Sequence, residues 1–95
     1  MEIYLKETVR DEYKIQKIYS FPNGYGASVI KGPHTIGGPK GLWEICPWTS
    51  HDRVYVGRIL LNWYDDVKGH LHDPDVHAIL GEISRLPVLE DGTNG

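Results

Sequence analysis

The sequence predicts an α+β fold in which an antiparallel sheet of about four strands carries one C-terminal helix. Short segments rich in β-branched and aromatic residues fill the first two thirds of the chain, and an Asn-Gly pair separates two of them. The apolar residues after Asp73 then recur at helical spacing. A sheet with one apolar face and a helix with one apolar stripe bury both surfaces by packing together.

Five segments have the alternating apolar positions and β-branched content of strands. They are residues 2–9, 12–20, 25–31, 42–48 and 53–61. The first alternates least well, so we expect a sheet of about four strands. Asn23-Gly24 predicts a tight hairpin between the second and third segments, because both turn positions tolerate positive φ. Residues 32–41, which we call the glycine loop, contain too much Gly and Pro for a strand.

The C-terminal helix is indicated by its start signal and its apolar stripe. Asp73 suits the N-cap, Pro74 the first helical position, and Asp75 complements the positive end of the helix dipole. One face then carries Val76, Ile79, Leu80, Ile83 and Leu86. Pro87 is expected to end the helix, because proline cannot donate the backbone hydrogen bond that would continue it.

The length of 95 residues fits one domain over residues 1–87, with residues 88–95 as a flexible C-terminal tail. The formal charge of −3 argues against nucleic acid as the partner, because duplex binders usually present a basic face. A local basic patch stays open, since four lysines lie close together in sequence: Lys14, Lys17, Lys31 and Lys40.

Cys46 is the single cysteine, which excludes an intrachain disulfide and a multi-cysteine zinc site. Its apolar neighbours favour a small buried side chain over a nucleophile. The sequence has neither an apolar run long enough to span a bilayer nor the features of a signal peptide. We therefore expect a cytoplasmic protein with no membrane partner.

The densest polar cluster lies just before and within the predicted helix. It consists of His70, His72, Asp73 and His77, together with Asp75. Two histidines separated by one residue in an extended segment point to the same side, as many metal sites require. The simpler interpretation is a capped helix start with solvated histidines. The glycines match neither a phosphate-binding loop nor a dinucleotide fingerprint, and no nucleophile elbow is present. No cofactor is therefore expected.

The glycine loop and the aromatic residues around it predict a binding surface. Its candidate residues are Phe21, Asn23, Tyr25, His34, Trp43, Glu44 and Trp48. Tyr and Trp anchor many protein interfaces, whereas stacking on a single nucleic-acid strand would also need a basic groove. Glu44 has a second interpretation, in which its carboxylate accepts hydrogen bonds from backbone N–H groups of the glycine loop.

Four segments of the chain carry a resemblance to a known family. They are FPNGYGASV at Phe21–Val29, Gly37-Gly38, GLWE at Gly41–Glu44 and the Ile-x-x-Leu segment at Ile83–Leu86. Together they resemble a family of small uncharacterised proteins encoded by bacteriophages. The resemblance implies a phage origin and the cytoplasm of an infected bacterial host. It supplies no catalytic residues.

These observations lead to three functional hypotheses. The first is a non-enzymatic phage accessory protein that binds a host or phage protein through the glycine loop and exposed aromatics, inhibiting a host function. Small acidic domains without catalytic motifs suit such a role, and a homodimer through an edge strand or an aromatic patch stays open. The second is a metal-binding domain or metal-dependent enzyme using the histidine cluster. The third is a module for single-stranded nucleic acid.

Overall fold

The computed structural model describes residues 2–89, which form five strands and one α-helix. The elements are β1 (Leu5–Arg10), β2 (Ile15–Ser20), β3 (Tyr25–Lys31), β4 (Trp43–Thr49), β5 (Lys68–Leu71) and α1 (Asp73–Ser84), with 3₁₀ turns at Glu2–Tyr4 and Gly38–Lys40. The strands form one antiparallel sheet in the order β1-β2-β3-β4-β5, and α1 packs on it. The predicted α+β class is confirmed, with five strands in place of about four.

The β2–β3 hairpin turns at the predicted Asn-Gly pair, and its turn is tied to the far end of α1. Gly24 has a φ of 92°, which glycine adopts without strain. The Asn23 side chain is buried, and its Nδ2 donates to the carbonyl oxygens of Ile83 at 2.8 Å and Leu86 at 3.1 Å. Its Oδ1 accepts the Tyr25 N–H at 3.2 Å. One side chain therefore fixes the hairpin and holds the C-terminal end of the helix against it.

Alternate residues of each strand point to opposite faces of the sheet, and α1 covers one of them. Ala27, Val29 and Ile45 lie on this face and are at most 1% exposed. From the helix, Val76, Ile79, Leu80 and Ile83 pack into the same core. Burying one such aliphatic side chain is worth about 1.5–3 kcal/mol. The core is therefore a single layer between the helix and one sheet face.

The N-cap of the helix lies one residue before the predicted N-cap, Asp73. His72 is the N-cap residue, so Asp73 and Pro74 occupy the first and second helical positions. The His72 N–H donates to Asp75 Oδ2 at 2.9 Å, which satisfies a backbone donor at the helix entrance. The predicted apolar stripe is confirmed for its four buried members, whereas Leu86 lies beyond the helix end and is half-buried.

The predicted strand at residues 53–61 is wrong, because only Tyr55 makes a bridge, opposite Trp48. Arg53 has a φ of 57°, so the backbone leaves the extended conformation at the first residue of that segment. The Leu60 N–H then donates to the Val56 carbonyl oxygen at 2.9 Å, forming a helical turn. The fifth strand is instead Lys68–Leu71, which is not among the predicted strands.

Two residues of the predicted tail, Val88 and Leu89, are described by the structure. Val88 is 73% exposed, but the Leu89 side chain packs against the core and its N–H donates to the Asn23 carbonyl oxygen at 2.8 Å. The rest of the predicted tail, residues 90–95, lies outside the described residues. Within residues 2–89, α1 is too short to cross a bilayer.

Candidate binding surface

Residues 50–67 connect β4 to β5 and form what we call the apolar loop. Five of its large apolar side chains are exposed: Val54, Tyr55, Ile59, Leu60 and Tyr64. The exposed fraction is 68% for Ile59 and 101% for Tyr64, so neither side chain is used to build the described fold. Single exposed apolar residues are normal on a protein surface, whereas a cluster on one segment marks an interaction site.

The apolar loop starts from a tight turn closed by Thr49. The Thr49 hydroxyl donates to Asp52 Oδ1 at 2.6 Å and accepts the Val54 N–H at 2.9 Å. The Thr49 N–H also donates to the Val54 carbonyl oxygen, and the Arg53 N–H to that of Thr49, both at 2.9 Å. These bonds hold the entrance of the loop in one conformation.

The middle of the apolar loop is anchored by Val56, which is 1% exposed and belongs to the core. Its N–H donates to the Pro47 carbonyl oxygen at 3.1 Å. The backbone packs closely at Gly57, where a Cβ would lie 2.8 Å from the Asp66 carbonyl oxygen. The Arg58 N–H donates to Asp66 Oδ1 at 3.1 Å, which joins the two arms of the loop. The exposed side chains therefore project from a rigid support.

Two cations cover the tryptophans beneath the apolar loop. The Arg53 guanidinium carbon lies 4.6 Å from the Trp48 ring centroid, and the Lys68 ammonium 5.0 Å from that of Trp63. Each contact contributes about 0.5–1 kcal/mol at an exposed site. Both tryptophans therefore help to stabilise the loop, whose exposed apolar groups are its two tyrosines together with Val54, Ile59 and Leu60.

The sheet face opposite α1 carries a shallow depression of about 400 Å³ that we call the sheet groove. Polar and apolar side chains line it, including Gln16, Ile30, Cys46 and Tyr55. The Gln16 Nε2 donates to the Ser28 hydroxyl at 2.9 Å, so part of its polar lining is already paired. A second depression of about 630 Å³ lies within the apolar loop, and Tyr55 lines both. The two depressions therefore adjoin at Tyr55.

Cys46 lines the sheet groove without the properties of a nucleophile. Burial raises the pKa of its thiol to about 11, and the negative charges of Asp66 and Glu44 add to the effect. The attacking species in cysteine chemistry is the thiolate. At neutral pH the thiol is therefore protonated, and it acts as a small apolar side chain in the groove. The sequence predicts a buried cysteine, whereas the structure shows a half-buried one.

The glycine loop packs against β5. A Cβ on Gly37 would lie 2.8 Å from the His70 Cα, and one on Gly69 would overlap the Ile36 side chain. The Ile36 N–H donates to Glu44 Oε1 at 2.9 Å, so Glu44 accepts a backbone hydrogen bond of the loop. The His70 N–H donates to the Ile36 carbonyl oxygen at 3.2 Å. The contact with His70 explains the glycine at position 37, where the backbone of the loop runs against β5.

The seven residues predicted as a binding surface do not form one exposed patch. Phe21, Asn23, Tyr25, Trp43 and Trp48 are all buried, with exposed fractions of 4, 6, 5, 8 and 7%. Their exposure was predicted from the excess of aromatics around the glycine loop, but the sheet and helix use these rings as core. Glu44 is half-buried, and His34 is exposed on the glycine loop. Of the two exposed tyrosines of the apolar loop, Tyr55 lies in residues 53–61, whose β-branched content suggests a strand, and Tyr64 follows that segment.

The predicted histidine and aspartate cluster is spread around the start of α1. The Asp73 carboxylate accepts the Trp43 indole N–H at 2.7 Å, and Asp75 accepts the His72 backbone N–H. His70 has a φ of 56° and lies beside Gly37. Within residues 2–89, no three His, Cys, Asp or Glu side chains converge closely enough to hold a metal ion. The two aspartates therefore act as hydrogen-bond acceptors at the helix entrance.

Comparison with known proteins gives no match for this chain among family models, curated proteins or solved structures.

Proposed function

We propose that this protein binds another protein through the apolar loop and the adjoining sheet groove, without catalysing a reaction. The observation that carries the proposal is the group of five exposed apolar side chains on a loop anchored by Val56. A preformed surface loses little conformational entropy on binding, so its apolar contacts contribute more fully to affinity. The surface differs from the one predicted around the glycine loop, whose aromatic residues are buried.

The chemistry of the apolar loop suits a protein partner. Tyr55 and Tyr64 each offer a large ring with a polar tip, the side-chain type enriched at the centres of interfaces. The flanking charges have both signs, with Arg58 beside Asp65 and Asp66. A nucleic-acid backbone would require a surplus of cations, whereas a mixed rim is ordinary for protein interfaces.

The resemblance to small phage-encoded proteins supports a host or phage protein as the partner and the bacterial cytoplasm as the setting. A small binding protein can inhibit a host function by occupying a surface that another molecule needs. A second copy of this chain is the alternative occupant, because an exposed apolar patch is also the usual basis of a homodimer.

A comparison of three baits tests the proposal in a bacterial lysate. The first bait is the unchanged protein, and the second is the loop variant Y55S/I59S/Y64S. The third is a control variant, I3S/Y13S/V88S, whose side chains are 82, 70 and 73% exposed but lie outside the apolar loop. Circular dichroism first establishes that all three baits are folded. A protein recovered by the first and third baits but not by the second would support the proposal.

The recovered partner is then purified and titrated against each variant. Interface anchors each contribute more than about 1 kcal/mol, so losing three should weaken binding by at least about 100-fold. Equal binding by the loop and control variants would refute the proposed surface. Sedimentation of the purified protein tests the homodimer alternative. Self-association that only the loop variant abolishes would show that the partner is a second copy of this chain.

A further inference from the structure

We propose that Asn23-Gly24 is a site of spontaneous deamidation, which the native fold protects and which reacts when the segment at Leu89 opens. Asparagine followed by glycine is the pair most prone to this reaction, because glycine has no side chain to hinder attack by its nitrogen. The modification converts a neutral amide into a carboxylate at the turn between β2 and β3. The proposal is independent of the protein-binding function, because it uses none of the apolar-loop residues.

The reaction needs only these two residues and water. The backbone nitrogen of Gly24 gives up its proton to solvent and attacks the side-chain carbonyl carbon of Asn23. A bond forms between these two atoms, and the side-chain nitrogen takes up a proton and leaves as ammonia. Water then opens the resulting cyclic imide at either of its carbonyl carbons, which gives aspartate or isoaspartate. In sum, the chain consumes a water molecule and releases ammonia.

The folded protein holds the Asn23 amide in place. Its Nδ2, the nitrogen that leaves as ammonia, donates to the carbonyl oxygens of Ile83 at 2.8 Å and Leu86 at 3.1 Å. Its Oδ1 accepts the Tyr25 N–H at 3.2 Å. The residue is only 6% exposed, so solvent has little access to the leaving nitrogen. The amide therefore has to break these hydrogen bonds before it can react.

The attacking group is restrained as well. The Gly24 N–H donates to the Phe21 carbonyl oxygen at 3.2 Å, and this bond is lost when the nitrogen gives up its proton. The Gly24 carbonyl oxygen accepts the Ser50 N–H at 2.8 Å, which ties the turn to the end of β4. The geometry of the turn is therefore fixed on both sides of the reacting bond.

Leu89 covers the reacting pair. A Cβ on Gly24 would lie 3.0 Å from the Leu89 Cβ and 3.7 Å from its Cδ2, so the leucine side chain lies directly over the glycine. The Leu89 N–H also donates to the Asn23 carbonyl oxygen at 2.8 Å. Leu89 is half-buried and is held by few contacts, and such segments open more often than the core. Opening at Leu89 is therefore the step that exposes Gly24 to solvent.

The modification would make this opening permanent. An aspartate at position 23 presents oxygen in place of Nδ2 to the carbonyl oxygens of Ile83 and Leu86, and the two acceptors repel each other. An isoaspartate also lengthens the backbone within the turn. Either product loses the hydrogen bonds that hold the C-terminal end of α1 against the hairpin. A transient opening is thereby converted into an irreversible loss of stability.

The experiment compares the rate of Asn23 deamidation in the folded and the unfolded chain. The protein is incubated at mildly alkaline pH in buffer and in guanidinium chloride, and the peptide that contains Asn23 is followed by mass spectrometry. Asn94-Gly95 is a second pair of this kind, and in guanidinium chloride it serves as an internal standard for the reaction. We expect Asn23 to react at least about 100-fold more slowly in buffer, because local opening exposes only a small fraction of the folded molecules.

Two substitutions at neighbouring positions test the role of Leu89. L89S removes the side chain over Gly24 and should speed deamidation in buffer about tenfold, because partial burial of a leucine favours the closed state by about this factor. V88S is the matched control, since Val88 is 73% exposed, and it should change the rate by less than about threefold. Circular dichroism establishes that both variants are folded. In guanidinium chloride both should react at the rate of the unchanged protein.

A further measurement tests the effect of the modification on stability. The variant N94Q leaves Asn23-Gly24 as the one Asn-Gly pair of the chain. It is kept in guanidinium chloride until Asn23 has reacted, then refolded and compared with an unreacted sample by urea denaturation. The reacted sample should unfold at a lower urea concentration, because position 23 no longer donates to the end of the helix.

Several results would overturn the inference. Equal rates of Asn23 deamidation in buffer and in guanidinium chloride would show that the fold does not protect the site. An unreactive Asn23 beside a reactive Asn94 in guanidinium chloride would remove the site itself. Equal rates for L89S and V88S in buffer would mean that Leu89 does not control the reaction. An unchanged urea midpoint after reaction would show that the modification does not release the helix end.

Discussion

Substitution of Asn23 distinguishes a structural role of this residue from a binding role. The sequence predicts that Asn23 lies on a binding surface, whereas the structure shows that its side chain is buried. The substitution N23A removes two hydrogen bonds donated to the carbonyl oxygens of Ile83 and Leu86, and one accepted from the Tyr25 N–H. Each such bond contributes about 0.5–1.5 kcal/mol. The Ile83 oxygen also accepts the Leu86 N–H at 3.2 Å, so it keeps one partner after the change. We therefore expect a loss of about 2–3 kcal/mol in the free energy of unfolding.

Urea denaturation followed by tryptophan fluorescence measures this loss. A domain of this size has about 5–15 kcal/mol of stability, so N23A should remain folded in buffer and unfold at lower urea concentration with an unchanged slope. The control is H34A at an exposed position of the glycine loop, which should alter stability by less than about 0.5 kcal/mol. A loss below about 1 kcal/mol for N23A would refute the role assigned to its side chain.

The isosteric substitution N23D should make the free energy of unfolding depend on pH, and the direction of this dependence follows from the structure. At neutral pH the new carboxylate would face two carbonyl oxygens, which disfavour the charged form and raise its folded pKa above the unfolded value of about 3.9. A group with a raised folded pKa contributes stability below the unfolded pKa and loses it as pH rises through the folded pKa. The destabilisation of N23D relative to the unchanged protein should therefore be largest at neutral pH and shrink on acidification. A deficit that is constant between pH 7 and about pH 4 would contradict this reasoning.

Two further predictions concern the glycine loop and the single cysteine. G38A places a Cβ against the Gly32 carbonyl oxygen and should lower stability by about 2–4 kcal/mol, whereas G41A meets open space and bears only the cost of its positive φ, about 1–2 kcal/mol. Equal losses in urea denaturation would show that close packing is not what requires Gly38. At pH 8 a thiol pKa of about 11 leaves about one Cys46 in a thousand as thiolate, so iodoacetamide should label the folded protein at least about tenfold more slowly than the urea-unfolded chain. Similar labelling rates in the folded and unfolded states would contradict the raised pKa of the Cys46 thiol. The same raised pKa means that the free energy of unfolding should decline as pH rises from about 9 to about 11.

The sequence predicts correctly those parts of the fold in which the local sequence pattern agrees with the conformation and burial that the residues have in the structure. Residues 25–31 were expected as a strand and form β3 with the same bounds, because their alternation and the preceding Asn-Gly turn specify one register. The helix stripe likewise matches its buried face. The strand predicted at residues 53–61 is wrong because β-branched content is compatible with any half-buried segment. Of that run, Val56 is buried in the core and Leu61 packs against it, while Val54, Ile59 and Leu60 are exposed.

Strand β5 could not be read from the sequence, because its four residues gain their conformation from their neighbours. Gly69 and His70 lack strand propensity, and His70 has a positive φ. The segment pairs with β4, and its backbone also contacts the glycine loop at Ile36 and Gly37. Such contacts join positions far apart in sequence. Local patterns therefore identify the glycine loop without identifying the strand against which it packs.

The candidate site was misjudged for a related reason. An excess of aromatic residues shows that large rings are available, but only the fold decides which are core. The FPNGYGASV segment illustrates this, because Asn23 holds the end of the helix, Gly24 makes the turn, and Tyr25 is buried. This segment of the resemblance therefore encodes the hairpin, whereas the proposed interface lies at Tyr55, Ile59 and Tyr64, outside it.

The register between β3 and β4 decides which residues of β4 join the core and which line the proposed interface, because neighbouring residues of a strand lie on opposite faces of the sheet. Trp43 packs in the core beneath α1, while Glu44 lines the sheet groove. A slip of one residue would exchange these faces. Gly26 opposes this slip: it pairs with Trp48, and a Cβ at this position would lie 2.8 Å from the indole Nε1. The close fit of the indole opposite glycine therefore favours the observed register, which keeps Trp43 in the core and Glu44 in the groove.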